Sequence, residues 1–354
     1  MSVYNILMIK LLLFIILLFL IFADIFINIY AAEIYAYLGI RFKRPVMYEE
    51  SLCKYVSIRG IAGLCDKKPD CDILSDRKNF DIKDYANLSD YDTVFVTKYD
   101  LKRFLKEVFF VQNKKIILVT GCSDKSAPIE ICNLQNIDIE SILNSPNLVH
   151  WFTTNCDMVH EKISCIPLGL DYHTLYRNNH RWGTQKSPLE QESELISYIP
   201  TDDELKNKSN KMYSNFHFTM DRFNDRRTCL NVIKKTPWMK NKVIFEKGQI
   251  PRKKVWNKHK SFAFELSPLG VGMDCHRTWE ALILKTVPII RRSTIHDMFD
   301  DLPVIQVNDW NELTPEQLDM YYERFHEIIQ KNEHKLELNY WKDIILSKKH
   351  YSSI

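Results

Sequence analysis

The stretch 261–310 constrains this chain most. Phe262 to Leu266 is a short, largely apolar run with the length of a buried strand. Ser267, Pro268, Gly270 and Gly272 follow as a turn-forming cluster. Asp274 stands where a helix cap is expected, and the helix after it carries Arg277, Trp279, Glu280, Leu282 and Ile283. Pro288 marks the exit from that helix; Val287 to Ile290 and Leu302 to Val307 supply two further strands. Strand, glycine turn, helix, strand is the order of a phosphate-binding βαβ unit.

The body upstream repeats the theme. Thr93 to Thr97 reads as a strand, and Leu101 to Phe110 as an amphipathic helix. Lys115 to Thr120 is apolar on both faces, as a parallel-sheet strand requires. Leu148 to Thr153 and Ile163 to Leu168 complete a set of three strands ending in polar turns, GCSD, TNCD and GLDYH. Open α/β sheets bind ligands at such strand ends. Residues 178–210 are polar and read as a loop and linker; Phe216 to Phe218 reads as the opening of a second domain. A helix is expected from Asp225, a strand over Lys242 to Phe245, and amphipathic helices over Pro315 to Gln330 and Tyr340 to Leu346. The Lys/Arg-rich piece from Arg252 to Lys260 reads as a solvated loop.

A chain of 354 residues holds two ordinary domains and a tail. Its net charge of +3 is too small to argue for nucleic acid. Leu11 to Ala23 is unbroken apolar sequence that continues past Asp24 to Ala32, long enough to cross a bilayer as a helix. Lys10 precedes the run, and Arg41, Lys43 and Arg44 follow it. By the positive-inside rule those charges place the body in the cytosol. The domain reading is therefore 1–46 membrane anchor and flank, 47–92 irregular stem, 93–210 first Rossmann-like domain with linker, and 211–354 second domain.

The nine cysteines fit no zinc spacing. In a lumenal protein Cys53, Cys65 and Cys71 could staple the stem, and Cys156 could pair with Cys165; buried thiols are the equal alternative. Asp70-Cys71-Asp72 and Asp90-Tyr91-Asp92 match a metal-binding D-x-D in letters. One lies in the irregular segment and the other precedes its strand, so both are read as turn residues and no essential metal is expected.

The signature segment resembles the donor-binding half of GT-B glycosyltransferases, and the exostosin-like enzymes above all. Phe264, Leu266, Pro268, Gly270, Arg277, Glu280, Ala281, Pro288 and Ile289 carry the likeness. Where that family has Gly before its Pro-containing strand, this chain has Lys285-Thr286, read as a changed turn. The resemblance implies an α/β fold of GT-B type, two Rossmann-like domains behind an N-terminal transmembrane helix. It implies sugar transfer from a nucleotide-sugar co-substrate to a glycan or glycoprotein acceptor, with no tightly bound cofactor. It also implies a single-pass Golgi or ER protein with a lumenal body, against the flanking charges.

On that reading Ser267, Gly270, Gly272, Asp274, His276, Arg277 and Glu280 form the donor site. The two glycines let backbone N–H groups approach the diphosphate. The helix N-terminus and Arg277 balance its charge, and Glu280 accepts the ribose hydroxyls. An inverting enzyme also needs a general base, for which Asp124 is the first choice, ahead of Asp171 and His173. A fucosyltransferase-like enzyme, or a non-catalytic membrane-anchored glycan-binding protein, would share the fold. The former has a Glu-Lys pair where this chain reads Trp279-Glu280-Ala281.

Overall fold

The computed structural model describes residues 46–70, 80–246 and 248–349. The apolar run assigned to a membrane anchor lies outside the described residues, among which no helix is long and apolar enough to cross a membrane.

Two wholly parallel sheets organise the body. The first holds β1 (Asp92–Thr97), β2 (Ile116–Gly121), β3 (Leu148–Thr153) and β4 (Ile163–Cys165) in that spatial order. Every residue of β2 is buried, as expected of a strand covered on both faces. Its register sets Leu118 against Val94 on one side and Trp151 on the other. The second sheet runs β6-β5-β7-β8-β9, from β5 (Ser209–Ser214), β6 (Val243–Phe245), β7 (Phe262–Leu266), β8 (Val287–Arg291) and β9 (Ile305–Val307).

The helices that shape the site are α1 (Ile58–Leu64), α2 (His173–Arg177), α3 (Pro188–Ser197), α4 (Asp225–Lys235), α5 (Arg252–His259), α6 (His276–Ile283) and α7 (Leu338–Ser347). One apolar cluster joins Val94, Leu118 and Trp151 of the first sheet to Trp279 and Leu282 of α6 and Trp341 and Ile345 of α7. The second sheet has its own core of Met212, Phe264, Ile289, Trp310 and Phe325. The chain thus ends by returning to its beginning. The Leu338 amide donates to the Lys54 carbonyl, and α7 packs beside α1.

Several local expectations change. The segment read as irregular contains α1, with Ile58, Ile61 and Ala62 buried and Ser57 capping through the Gly60 amide. The polar stretch 178–210 holds α3, started by a Ser187/Glu190 capping box. It also ends in β5, whose sequence SNKMYS is too polar to announce a strand that nonetheless pairs with both β6 and β7. The supposed basic loop is helix α5, with Arg252, Val255, Trp256 and His259 buried. The helix after Pro315 breaks at Arg324. Cys156 and Cys165 are free thiols, as are Cys53 and Cys65; Cys71 lies outside the described residues. Asp90 and Asp92 accept from the Lys115 and Ser89 amides, as turn residues do. Asp70 accepts from the Tyr48 hydroxyl, and Asp72 is outside the described residues.

Lys208 explains how β5 is held despite its polarity. Its buried ammonium donates to the carbonyls of His259 (2.6 Å), Lys285 (2.7 Å) and Leu284 (3.2 Å), and to the Thr286 hydroxyl (2.9 Å). These oxygens sit at the C-terminal ends of α5 and α6, where a cation is favoured. Strand β5 is thereby tied to α5 and α6, two of the helices that line the cleft.

Candidate functional site

The C-terminal strand ends of the two sheets open onto one cleft of about 420 Å³, within the usual range for a small-molecule site. The first lobe and its linker contribute Asp124, Leu168, Thr174, His180, Arg181 and Trp182. The second contributes the loops after β5, β6 and β7 and the start of α6.

The β7–α6 loop is built around two close approaches. A Cβ at Gly270 would lie 2.6 Å from Arg226 Nη2, and one at Gly272 would lie 2.8 Å from Asn155 Nδ2. A Cβ at either position would force the neighbouring side chain to shift. The Gly270 amide, expected to face phosphate, donates instead to the Gly272 carbonyl at 3.0 Å. Asp225, fully buried at the start of α4, fixes the loop by accepting the Leu269 amide (2.8 Å) and Trp310 Nε1–H (2.9 Å).

Two arginines converge there. Arg226 donates from Nε to the Leu269 carbonyl (3.2 Å) and from Nη1 to the His217 carbonyl (2.6 Å). Arg277 donates from Nε to Ser267 Oγ (3.0 Å) and from Nη2 to the Pro268 carbonyl. Among the described residues neither has a carboxylate within ion-pair distance, although both line the cleft. Burial, then the neighbouring Arg277 charge, pushes the Arg226 guanidinium down to about 10. The His217 imidazole is lowered by burial and by Arg181, Arg226 and Arg277. The cleft thus holds two neighbouring guanidinium groups with no direct carboxylate partner among the described residues.

Asp274 does not cap α6; Cys275 is the cap residue, without a side-chain hydrogen bond. The Asp274 carboxylate is buried and accepts the Leu168 amide (2.7 Å) and Trp279 Nε1–H (2.9 Å), while its own amide donates to Asn155 Oδ1 (2.8 Å). It braces the two lobes, and burial raises its carboxyl to about 6. Ser267 is likewise not at the cleft surface: its hydroxyl joins Thr278 Oγ1 (2.8 Å) and Arg277 Nε, so it aims the arginine. Glu280 does line the cleft, paired through Oε1 with Arg252 Nε at 3.2 Å.

Of the expected bases, only Asp124 lines the cleft, exposed at its edge. Asp171 and His173 lie behind it. Asp171 accepts the Thr174 amide (3.0 Å) and hydroxyl (2.8 Å), and its Oδ1 is 2.8 Å from His173 Nδ1. Burial alone raises the Asp171 carboxyl, yet His173, His276 and Arg252 hold it well below the usual range. Burial and the Arg59 charge push His173 down to about 4.

Arg226, Arg181, Trp182 and His217 carry no site assignment from the sequence, and the piece that begins at Arg252 reads first as a solvated loop and only second as a diphosphate contact. One signal was available: Arg226 and Arg227 occupy the first turn of α4, where a cation opposes the helix dipole. Among the described residues no three His, Cys, Asp or Glu side chains are grouped to hold a metal.

No known family's sequence profile matches the chain, and no curated protein matches it. Solved structures that match the chain include the following three. The alpha,alpha-trehalose-phosphate synthase (UDP-forming) from Burkholderia vietnamiensis is 9% identical, with a TM-score of 0.42 over 77% of each chain. The N-terminal domain of Candida albicans trehalose-6-phosphate phosphatase is 12% identical at a TM-score of 0.35, covering 77% of this chain and 73% of that one. The wall teichoic acid polymerase TagF is 11% identical at 0.23, covering 73% and 90%. Likeness this distant says nothing about chemistry, which rests on the cleft itself.

Proposed function

We propose that the chain is a nucleotide-sugar-dependent glycosyltransferase of GT-B type, related to the exostosin-like enzymes, acting on a glycan or glycoprotein acceptor. The observation that supports this reading most is the Arg226–Arg277 pair. Two guanidinium groups without carboxylate partners, at the strand ends of a parallel sheet, match the charge and the planar oxygen pairs of a diphosphate.

The residues divide the work. Arg226 and Arg277 bind the diphosphate and offset the charge that grows on it as the glycosidic bond breaks. Gly270 and Gly272 make room for Arg226 and Asn155. Glu280, oriented by Arg252, keeps its second oxygen for the ribose hydroxyls. Phe216, Ile250 and Val255 supply apolar surface for the nucleotide. Asp124, on the first lobe, meets the acceptor. The apolar run at residues 11–32 anchors the body to a membrane, in the lumen of the Golgi or ER.

The test is release of nucleoside diphosphate by the soluble body against UDP- and GDP-sugars, with melting-temperature shifts by UDP and GDP. Arg226→Met and Arg277→Met should each weaken nucleotide binding about 10- to 100-fold, as loss of a charge-assisted hydrogen-bonding group does. A folded protein that releases no diphosphate and shows no shift with either nucleotide would remove the proposal.

A further inference from the structure

Resting on the glycosyltransferase reading, we infer that His276 is the proton acceptor for the incoming hydroxyl, with the Asp171 carboxylate as the negative charge behind it. Three observations carry this beyond the donor-binding role given to His276 above.

The first is the fixed ring. His276 Nδ1 lies 2.6 Å from the Gly169 carbonyl, a contact only Nδ1–H can make as donor. The lone pair is thereby left on Nε2, the nitrogen still available to the cleft that His276 lines. The carbonyl itself is rigid. Gly169 sits at φ +67°, pairs with Ser57, and a Cβ there would lie 2.1 Å from the Val56 carbonyl oxygen.

The second is elimination among the cleft's other carboxylates and imidazoles. Asp274 is occupied by Leu168 and Trp279, and the Glu280 oxygen that Arg252 leaves free is given to the ribose hydroxyls. His217 faces three guanidinium groups that oppose its taking a proton, and His180 faces Arg181. Asp124 stands in water at the rim, where proton transfer gains least from the protein.

The third is placement. His276 opens α6 directly before Arg277, so the imidazole and the diphosphate-binding guanidinium rise from the same helical turn. Behind it lie the buried Asp171 carboxylate and the His173 ring, whose centroid is 6.3 Å from that of His276. Asp171 provides the negative charge that an imidazolium needs.

The step balances as a single displacement. The acceptor O–H gives its proton to His276 Nε2 while its oxygen bonds the anomeric carbon. The bond from that carbon to the diphosphate oxygen breaks, and its electron pair leaves on the diphosphate beside Arg226 and Arg277. The imidazolium then releases its proton to solvent, and the anomeric configuration inverts.

The experiment measures UDP or GDP release from UDP- and GDP-sugars by the wild type, His276→Gln and His276→Ala, with nucleotide-induced melting shifts on each. We expect turnover to fall at least about 100-fold in both variants, the usual contribution of a general base, with the nucleotide-induced shift retained. Added imidazole should restore part of the turnover of His276→Ala, which a structural role would not allow. Turnover within fivefold of wild type, or loss of nucleotide binding in parallel with turnover in both variants, overturns the assignment while leaving the enzyme reading in place. A wild type that releases nothing overturns this assignment, and if it also shows no melting shift with UDP or GDP the enzyme reading falls with it.

Discussion

Arg252 Nε stands 3.2 Å from Glu280 Oε1, with both side chains less than a tenth exposed. The pair joins α5 to α6 across the cleft floor. Arg252 also donates from Nη1 to the Asp171 carbonyl (2.9 Å) and lies over the rings of Trp182 (5.0 Å) and Trp256 (5.7 Å). Removing one partner strands a buried charge, which costs about 3–5 kcal/mol. Arg252→Met and Glu280→Gln should therefore each lower unfolding free energy by several kcal/mol, and the double variant by less than their sum. Urea denaturation of the four proteins measures that coupling. Additive losses would mean the pair contributes nothing as a pair.

Gly272 is a test of the close approach. A Cβ there meets Asn155 Nδ2 at 2.8 Å and Oδ1 at 3.2 Å, and Oδ1 is the acceptor for the Asp274 amide. Gly272→Ala should cost about 1–3 kcal/mol, the usual penalty for overpacking. It should also weaken nucleotide binding by loosening the lobe contact. Gly248→Ala, with nothing within 4 Å, is the control and should stay within about 0.5 kcal/mol of wild type.

Lys285 adopts the left-handed backbone conformation that favours glycine, φ +56°. The strain is offset by Thr286 donating to the Ala281 carbonyl (2.8 Å), by the Lys285–Glu333 ion pair, and by Lys208 holding the Lys285 carbonyl. The left-handed region costs a non-glycine residue about 1–2 kcal/mol. Lys285→Gly should raise stability by about 0.5–1 kcal/mol, after the lost surface pair and the added freedom of the unfolded chain are deducted. A lower melting temperature in the variant would show the ion pair to outweigh the strain.

Asp274 should leave a mark on the pH dependence of stability. Burial raises its carboxyl from 3.8 to about 6. Between those values the folded protein holds a proton that the unfolded chain has released. This group's contribution to stability is therefore full below about pH 4 and is lost as pH rises toward 6, at roughly 1.4 kcal/mol per unit. Chemical denaturation at pH 4.5, 5.5 and 6.5 should show Asp274→Asn lacking this fall of about one proton. Parallel profiles for the two proteins would place the Asp274 carboxyl near its ordinary value.

The sequence by itself determined the parts whose signal is local. Ile116 to Gly121 and Leu148 to Thr153 announce buried parallel strands through largely apolar runs. Phe262 to Leu266, the glycine turn and α6 could be read in order because turn chemistry and hydrophobic period agree there. Tertiary structure decided what depends on partners distant in the chain. Strand β5 is too polar to be seen, and it exists because Lys208 finds helix-end carbonyls 51 to 77 residues away. Arg252 looks like one cation in a basic run until Glu280 and two tryptophans bury it. Asp274 reads as a cap and becomes a brace, because its acceptors are claimed by Leu168 and Trp279. Asp171 and His173 end strand-like turns in the sequence yet lie behind the cleft, while His276, seen only as a donor contact, receives its tautomer from Gly169, 107 residues earlier. Periodicity and turn residues record what a side chain does within a few neighbours; which polar atoms remain free to act is fixed only when the lobes close on one another.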